Sequence, residues 1–340
     1  MKRNLKITIK EPSWKLALMN SPVLSGKPDE KGYLPNYLDG IFPGGRDPML
    51  PGGKFYRMFD AGNGGELKDS IVAGNKIPPK ACAVHSSSML AYNFFHWISP
   101  EHPLRFSEDK TYDKVYFEVK MPVLKSRPKS PANMDVVLVS DDCHSILCFE
   151  SKLSEYTKYV DAEFKTAYTE RKNYYNNHFV EDFVDYIKGH QNVNHAYNDG
   201  IAQMVKHLIA ITNLHQSNYA MADMLALNDF IEPEVARKMQ EESLNIKFSN
   251  VLYILGVDSG IVPSCQTMSY IKLLANFRST AGFDDMIWQF FVLPNYAYNY
   301  NDMLAIMRSQ MPDGLADYLE ARYPHLRSWN NNTYPVHRIG

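Results

Sequence analysis

Asp135-Val136-Val137-Leu138-Val139 and Ile146-Leu147-Cys148-Phe149-Glu150-Ser151-Lys152 flank the polar stretch Ser140–His144. Both runs are rich in aliphatic and β-branched residues, and the polar segment between them has the composition of a turn. Together they read as an antiparallel hairpin, with strands at Met134–Val139 and Ile146–Lys152. Side chains in a strand alternate between faces, so Glu150 and Lys152 point the same way, and pairing can bring Asp135 beside them.

Outward from this hairpin the pattern predicts an α/β fold. Met89, Leu90, Phe94, Trp97 and Ile98 recur at helical spacing over Ser86–Ile98, with serines available as an N-cap. A strand is expected at Val115–Val119. The basic stretch Lys120–Lys129, interrupted by two prolines, reads as a loop. Residues Leu153–Asn194 are polar, tyrosine-rich and expected to be helical, as an insertion before a long amphipathic helix at Ala196–Leu214. The apolar run Val251–Val257 is a buried-strand candidate, and Ile287–Leu293 is another. Upstream, Ser21–Gly65 is dense in Gly and Pro and reads as an irregular arm. Gly52-Gly53-Lys54 lacks the full spacing and the Ser/Thr of a phosphate loop. The expected fold is a mixed central sheet flanked by helices. An N-terminal arm would span residues 1–61, a core 62–260 with a helical insertion at 153–195, and a C-terminal extension 261–340.

Composition bounds the class. The chain has 340 residues, 45% hydrophobic and 22% charged, which suits one elaborated core. A net charge of −2 means that nucleic-acid affinity has to come from a local patch or a bound metal, not from the overall field. Cys82, Cys143, Cys148 and Cys265 show no zinc-knuckle spacing and are too few for a disulfide scaffold, so buried thiols in a reducing compartment are expected. Met1-Lys2-Arg3-Asn4-Leu5 is followed by no apolar stretch, which argues against a signal peptide. No run approaches the roughly twenty apolar residues needed to span a bilayer. A cytoplasmic protein without membrane partners is the expectation.

The hairpin ends carry the chemistry. Two carboxylates, Asp135 and Glu150, offer hard oxygen ligands to Mg²⁺ (or Mn²⁺) and leave positions for water and a phosphate oxygen. Lys152 can orient or deprotonate an attacking water and offset developing negative charge, which is the logic of metal-assisted phosphodiester hydrolysis. Glu-x-Lys alone is a weak signal, because it occurs at Glu66, Glu108, Glu118, Glu150, Glu163 and Glu170. Of these, only Glu118 and Glu150 stand in strand-like surroundings. Asp113 precedes Glu118 too closely for an intervening turn and second strand, whereas Asp135 and Glu150 each belong to an apolar strand of their own. A hairpin with charged ends at the solvent rim is the alternative.

In this order of elements the chain resembles the PD-(D/E)xK, or restriction-endonuclease-like, nucleases. The order is helix, strand, strand with Asp, strand with Glu-x-Lys, helix, strand. Gly62-Asn63-Gly64-Gly65-Glu66-Leu67, His85-Ser86-Ser87-Ser88 and Asn93-Phe94-Phe95 are similar to a bacterial restriction-endonuclease-related branch. The resemblance covers about Gly62 to Val257. It implies that Asp135 and Glu150 ligate the metal, that Lys152 is the catalytic lysine, and that Glu66 is an additional acid from an upstream helix. Met134 stands where the motif has proline. The implied activity is divalent-metal-dependent cleavage of nucleic acid, with DNA as the favoured substrate. A non-cleaving nucleic-acid-binding or assembly protein on the same fold is the alternative. Double-strand cleavage would favour a homodimer, since one site hydrolyses one strand at a time.

Gln203 and His207 are four apart and share a helix face. They resemble the polar positions that such nucleases carry on the helix after the Glu-x-Lys strand, although a solvated polar face explains them equally well. Lys125, Arg127 and Lys129, with His207, are candidate phosphate contacts. A solvated basic loop is the bland reading of the first three. Tyr156, Tyr159, Tyr168, Tyr174 and Tyr175 could stack on bases, but their helical spacing favours packing.

Overall fold

A computed structural model describes residues 12–46, 53–61, 65–107, 110–125, 131–153, 166–175, 199–241, 244–252, 297–324 and 326. Along the chain come α1 (Pro12–Met19), α2 (Lys54–Tyr56, continuing as a π-turn over Arg57–Ala61), the small hairpin β1 (Ser70–Val72) and β2 (Asn75–Ile77), and α3 (Ser87–Phe95). Then follow β3 (Leu104–Ser107), β4 (Lys110–Met121), β5 (Ala132–Ser140) and β6 (Ser145–Lys152). The remainder is α4 (Asp199–Gln216), α5 (Asn218–Leu227), α6 (Pro233–Glu241), β7 (Asn245–Leu252), β8 (Ala297–Asn299), α7 (Tyr300–Met307) and α8 (Leu315–Arg322).

The main sheet runs β3-β4-β5-β6-β7-β8. Its first four strands are mutually antiparallel, while β7 pairs parallel to β6 and β8 parallel to β7. This is the mixed sheet flanked by helices that the sequence predicts. Short connections permit the antiparallel half. The return to a parallel β7 requires a long crossover, which contains α4, α5 and α6. Helix α3 packs on β5 and β6, and α4 packs on β4, β5 and β7. With helices on both faces, every residue of β6 is buried.

Ser86 caps α3 as expected, its side chain accepting from the Met89 amide at 3.1 Å. The helix ends at Phe95, short of the predicted Ile98. Further along α3, the buried Asn93 docks the Gly/Pro-rich arm, accepting from the Phe42 amide at 3.0 Å and donating to the Gly40 carbonyl at 2.9 Å. The arm approaches closely here: a Cβ on Gly45 would lie 2.4 Å from His96 Nε2. The arm is irregular, but Leu34 and Ile41 join the same apolar cluster as Phe149 of the sheet and Tyr300 and Leu319 near the other end.

Several boundaries differ from the sequence reading. Strand β4 is longer than Val115–Val119, because the polar residues on either side continue the ladder with β5. The described part of the predicted Val251–Val257 strand ends β7, which begins at Asn245 instead. Its alternating first half, Asn245-Ile246-Lys247-Phe248, is half-buried strand that the search for an apolar run passes over. Within 153–194, the described segment 166–175 forms two 3-10 turns, Thr166–Thr169 and Arg171–Asn173. Tyr168 and Tyr175 are buried there as packing residues. Tyr156, Tyr159, Cys265 and Ile287–Leu293 lie outside the described residues; Cys82, Cys143 and Cys148 are buried thiols. Among the described residues, no helix is long and apolar enough to cross a membrane.

Candidate active site

Strand alternation divides the end of β6 between two surroundings. Ser151 faces α3: its hydroxyl donates to the Ser87 carbonyl at 3.1 Å and lies 2.6 Å from the Tyr300 hydroxyl. Glu150 and Lys152 face α4. Lys152 Nζ donates to Glu150 Oε1 at 2.6 Å and to Gln203 Oε1 at 2.7 Å. Both partners are acceptors, so this geometry holds the amine as an ammonium donor. Glu150 is 2% exposed and Lys152 8%, which places the pair inside the protein and not at a solvent rim.

Asp135 arrives by register. Val136 pairs with Phe149 and Val137 with Cys148, so one further step puts Asp135 opposite Glu150 on the same face. Its Oδ2 accepts from the Ser151 amide at 2.7 Å. Burial, then the neighbouring Glu150 and Glu118, push the Asp135 carboxyl well above the ordinary carboxylate range, against the opposing pull of Lys152 and the Ser151 amide.

Glu118 on β4 belongs to the same cluster, and the sequence reading missed it. Phe117 pairs with Val136 and Val119 with Met134, so the intervening step sets Glu118 opposite Asp135. At φ +52° it has the left-handed backbone conformation, uncommon outside glycine and unfavourable within a strand. Its side chain is 1% exposed. Burial, then Glu150 and Glu66, raise its carboxyl to about 8, while a hydrogen bond with Asn133 and the charge of Lys80 act the other way. A detectable signal was present: Glu118-Val119-Lys120 was one of only two Glu-x-Lys triplets in strand-like surroundings. Along the chain the triplet stands as a separate motif, and only the register of β4 on β5 makes it a neighbour of the first.

The other candidates fall into place unevenly. Glu66 is buried at 8% and close enough to act on Glu118, but it sits in a turn. The expected upstream helix is absent at that point because Gly65, at φ +84°, turns the chain just before it. Gln203 is half-buried on α4 and reaches the site through Lys152. His207, one turn further, is 1% exposed, with Nε2 3.0 Å from the Asn133 carbonyl and 3.7 Å from Glu150 Oε2. It therefore lies under the carboxylates and not at the rim with the basic loop. Burial lowers its pKa, partly offset by Glu150. The C-terminal half of α4 is buried all round, from Leu208 to Leu214, so it has no solvated polar face there. Lys125 is exposed, with its amide on the Asn173 carbonyl at 2.8 Å and Nζ 5.9 Å from the Tyr219 ring centre. Arg127 and Lys129 lie outside the described residues.

The site therefore gathers Glu118, Asp135, Glu150 and the ammonium of Lys152 on three adjacent strands, with Glu66 at its edge and Gln203 and His207 supplied by α4. Comparison with curated proteins and with solved structures returns no match. The profile of a family described as Restriction Endonuclease associating with ARP matches residues 66–287, a span that contains every one of these side chains. The chain belongs to this restriction-endonuclease family, and it is a nuclease-like protein.

Proposed function

We propose that the protein is a nuclease of the PD-(D/E)xK type that hydrolyses phosphodiester bonds in DNA with Mg²⁺ or Mn²⁺. The observation that carries this reading is the pairing of Asp135 opposite Glu150, with Lys152 fixed between Glu150 and Gln203.

The donor set suits a hard divalent cation. Glu118 and Glu150 each bury one carboxylate oxygen that has no hydrogen-bond partner among the described residues. Leaving buried acceptors unmade is costly, and a cation would satisfy them. Among the described residues no group of three or more His, Cys, Asp and Glu side chains is arranged to hold an ion on its own. Mg²⁺ commonly needs only one or two carboxylates, taking its other positions from water and substrate phosphate. Asp135 and Glu150 would hold it. Bound there, the cation would lower the pKa of a water and neutralise charge on the phosphate.

The chain's own groups account for the rest. Lys152 donates to two acceptors, so it is suited to orienting a water and offsetting charge on the phosphoryl oxygens rather than to removing a proton. Gln203 keeps its ammonium in place. His207, with Nε2–H on the Asn133 carbonyl, braces the Glu150 side. Lys125, on the exposed turn after β4, suits a phosphate contact. Cutting both strands of a duplex would require two such sites, which a homodimer supplies.

The test is a plasmid-nicking assay with Mg²⁺ or Mn²⁺ and with EDTA. Nicked and linear products should appear with metal and vanish with chelator. If the folded protein binds DNA yet cleaves with neither metal, a non-cleaving binding protein replaces the nuclease.

A further inference from the structure

The chain carries a net charge of −2, so contact with nucleic acid requires a local basic patch. The segment 67–80, at the edge of the acidic site, is one: it holds Lys68, Lys76 and Lys80 against a single acid, Asp69. Its ends are pinned together where the Ala81 amide donates to the Glu66 carbonyl at 3.1 Å. Both flanks of this excursion adjoin the site, since the charges of Glu66 and Lys80 act on the Glu118 carboxyl.

Between these ends β1 and β2 form a sheet of their own, apart from the six-stranded one. Val72 pairs with Asn75, which leaves the two-residue turn Ala73-Gly74, with φ at +50° and +80°. Positive φ at both central positions is the turn whose twist matches a tight hairpin, and neither residue adds bulk at the tip. Ile71 and Val72 are 79% and 56% exposed, two of the four large apolar side chains exposed among the described residues. Adjacent in a strand, they point to opposite faces, so both faces of the hairpin stand open. Lys76 pairs with Asp69 at 2.7 Å and Lys68 with Asp60 at 3.9 Å. Both lysines are largely exposed, and such pairs are weak enough for phosphate to displace the carboxylates.

The major groove of B-DNA, about 12 Å wide, admits a two-stranded β-ribbon and offers it thymine methyls as apolar contacts. Phosphates on either side suit flanking cations. A protein partner would cover one face of the hairpin. A ribbon that is apolar on both faces, with a basic rim, beside a site for phosphodiester hydrolysis, fits a duplex instead. We propose that the β1–β2 hairpin enters the major groove of duplex DNA beside the site, with Ile71 and Val72 on thymine methyls and Lys68 and Lys76 on phosphates. The inference rests on the DNA reading above and adds a recognition element to it.

Fluorescence anisotropy of a labelled duplex of alternating A·T pairs, titrated with the full chain in EDTA, reads binding without cleavage. Wild type should bind this duplex more tightly than its uracil counterpart, which lacks the methyls, by about fourfold for each methyl covered. Ile71→Ser/Val72→Ser should bind the thymine duplex as weakly as wild type binds the uracil one and show no preference. Leu16→Ala, at an exposed apolar position on α1, should match wild type. Lys68→Gln/Lys76→Gln should reduce the slope of log affinity against log salt by about two. If the serine variant binds like wild type, or if wild type does not distinguish thymine from uracil, the proposal is overturned, while metal-dependent plasmid nicking still decides the nuclease reading. If wild type is a dimer that the serine variant dissociates with its DNA affinity unchanged, the hairpin is a contact between copies and the proposal is overturned. If folded wild type binds no duplex at low salt, the DNA reading itself fails and takes this inference with it. Should the double variant not fold, Val72→Ser decides in its place: wild-type affinity and thymine preference there overturn the proposal.

Discussion

Two rows of side chains cross the same three strands one residue apart. Phe117, Val136 and Phe149 form one row, directed at α3, where Phe117 lies 5.4 Å from Tyr92 and Phe149 stacks on Phe95 at 5.5 Å. Glu118, Asp135 and Glu150 form the other, directed at α4. Glu118 and Glu150 are as thoroughly buried as the phenylalanines, at 1% and 2%. Burial has opposite consequences in the two rows. Apolar area removed from water stabilises by about 25 cal/mol per Å². A carboxylate removed from water costs free energy unless it is paired or protonated. The apolar row therefore stabilises the sheet, while the acidic row gathers the candidate site residues at a cost in free energy.

The largest effect expected from breaking the acidic face is on cleavage. Lys152→Ala leaves all three carboxylates and should bind Mg²⁺ while cleavage falls by about 10²–10⁴-fold, the scale of a lost acid–base or positioning group. Asp135→Asn should lower Mg²⁺ affinity and cleavage together. Plasmid products across an Mg²⁺ titration, with calorimetry alongside, separate the two; wild-type cleavage by Lys152→Ala would remove this lysine from the mechanism.

On the apolar face the effect should be on folding. Phe149→Ala loses the stack on Phe95 and the contact with Phe106, 6.0 Å away, and should cost about 3–5 kcal/mol in urea unfolding. Its folded fraction should bind Mn²⁺ normally. A selective loss of metal binding without destabilisation would mean that the two faces are not separable.

Ser151→Ala should have a smaller effect, about 1–2 kcal/mol, by removing the hydroxyl that joins Ser87 and Tyr300. Cleavage should be little changed, because this residue points away from the acids. A loss approaching that of Lys152→Ala would place Ser151 in the site.

The subtlest contrast is in pH dependence. Glu118 titrates near 8 in the fold against an ordinary 4.5, so the native state binds that proton more tightly than the unfolded chain. From this group metal-free protein should accordingly gain stability as pH falls from about 9 toward 4.5. His96, buried beside the aromatic face, is lowered to about 4 from 6.5, chiefly by burial. There the unfolded chain binds the proton more tightly, so stability should be lost as pH falls from 6.5 to about 4. On acidification in EDTA the melting temperature should rise down to about pH 6.5 and then level off, because below that the His96 loss opposes the Glu118 gain. Glu118→Gln should flatten the rise above pH 6.5 and turn the level stretch below it into a fall; an unchanged upper limb would assign that slope to other groups.

Much of the site was legible because it is local. Asp135, Glu150 and Lys152 lie within one hairpin, where the period of two and a five-residue polar turn settle which side chains share a face. The Ser86 cap and the run of α4 were legible for the same reason, since capping and helical periodicity are written into neighbouring residues. Glu66 was recovered as a residue but not as an element, because its turn depends on the conformation of Gly65.

The sequence by itself determined the hairpin and the shared face on which Asp135, Glu150 and Lys152 stand. Only the tertiary structure decided that Glu118 joins the row, that Gln203 and Glu150 together hold Lys152, and that His207 lies beneath the acids rather than on a solvated surface. The physical reason is the range of the determinant: alternation fixes a side chain's face within a few residues. Register between β4 and β5, the docking of α4 and the burial of a charge depend instead on contacts between distant segments, such as Lys152 with Gln203, 51 residues apart.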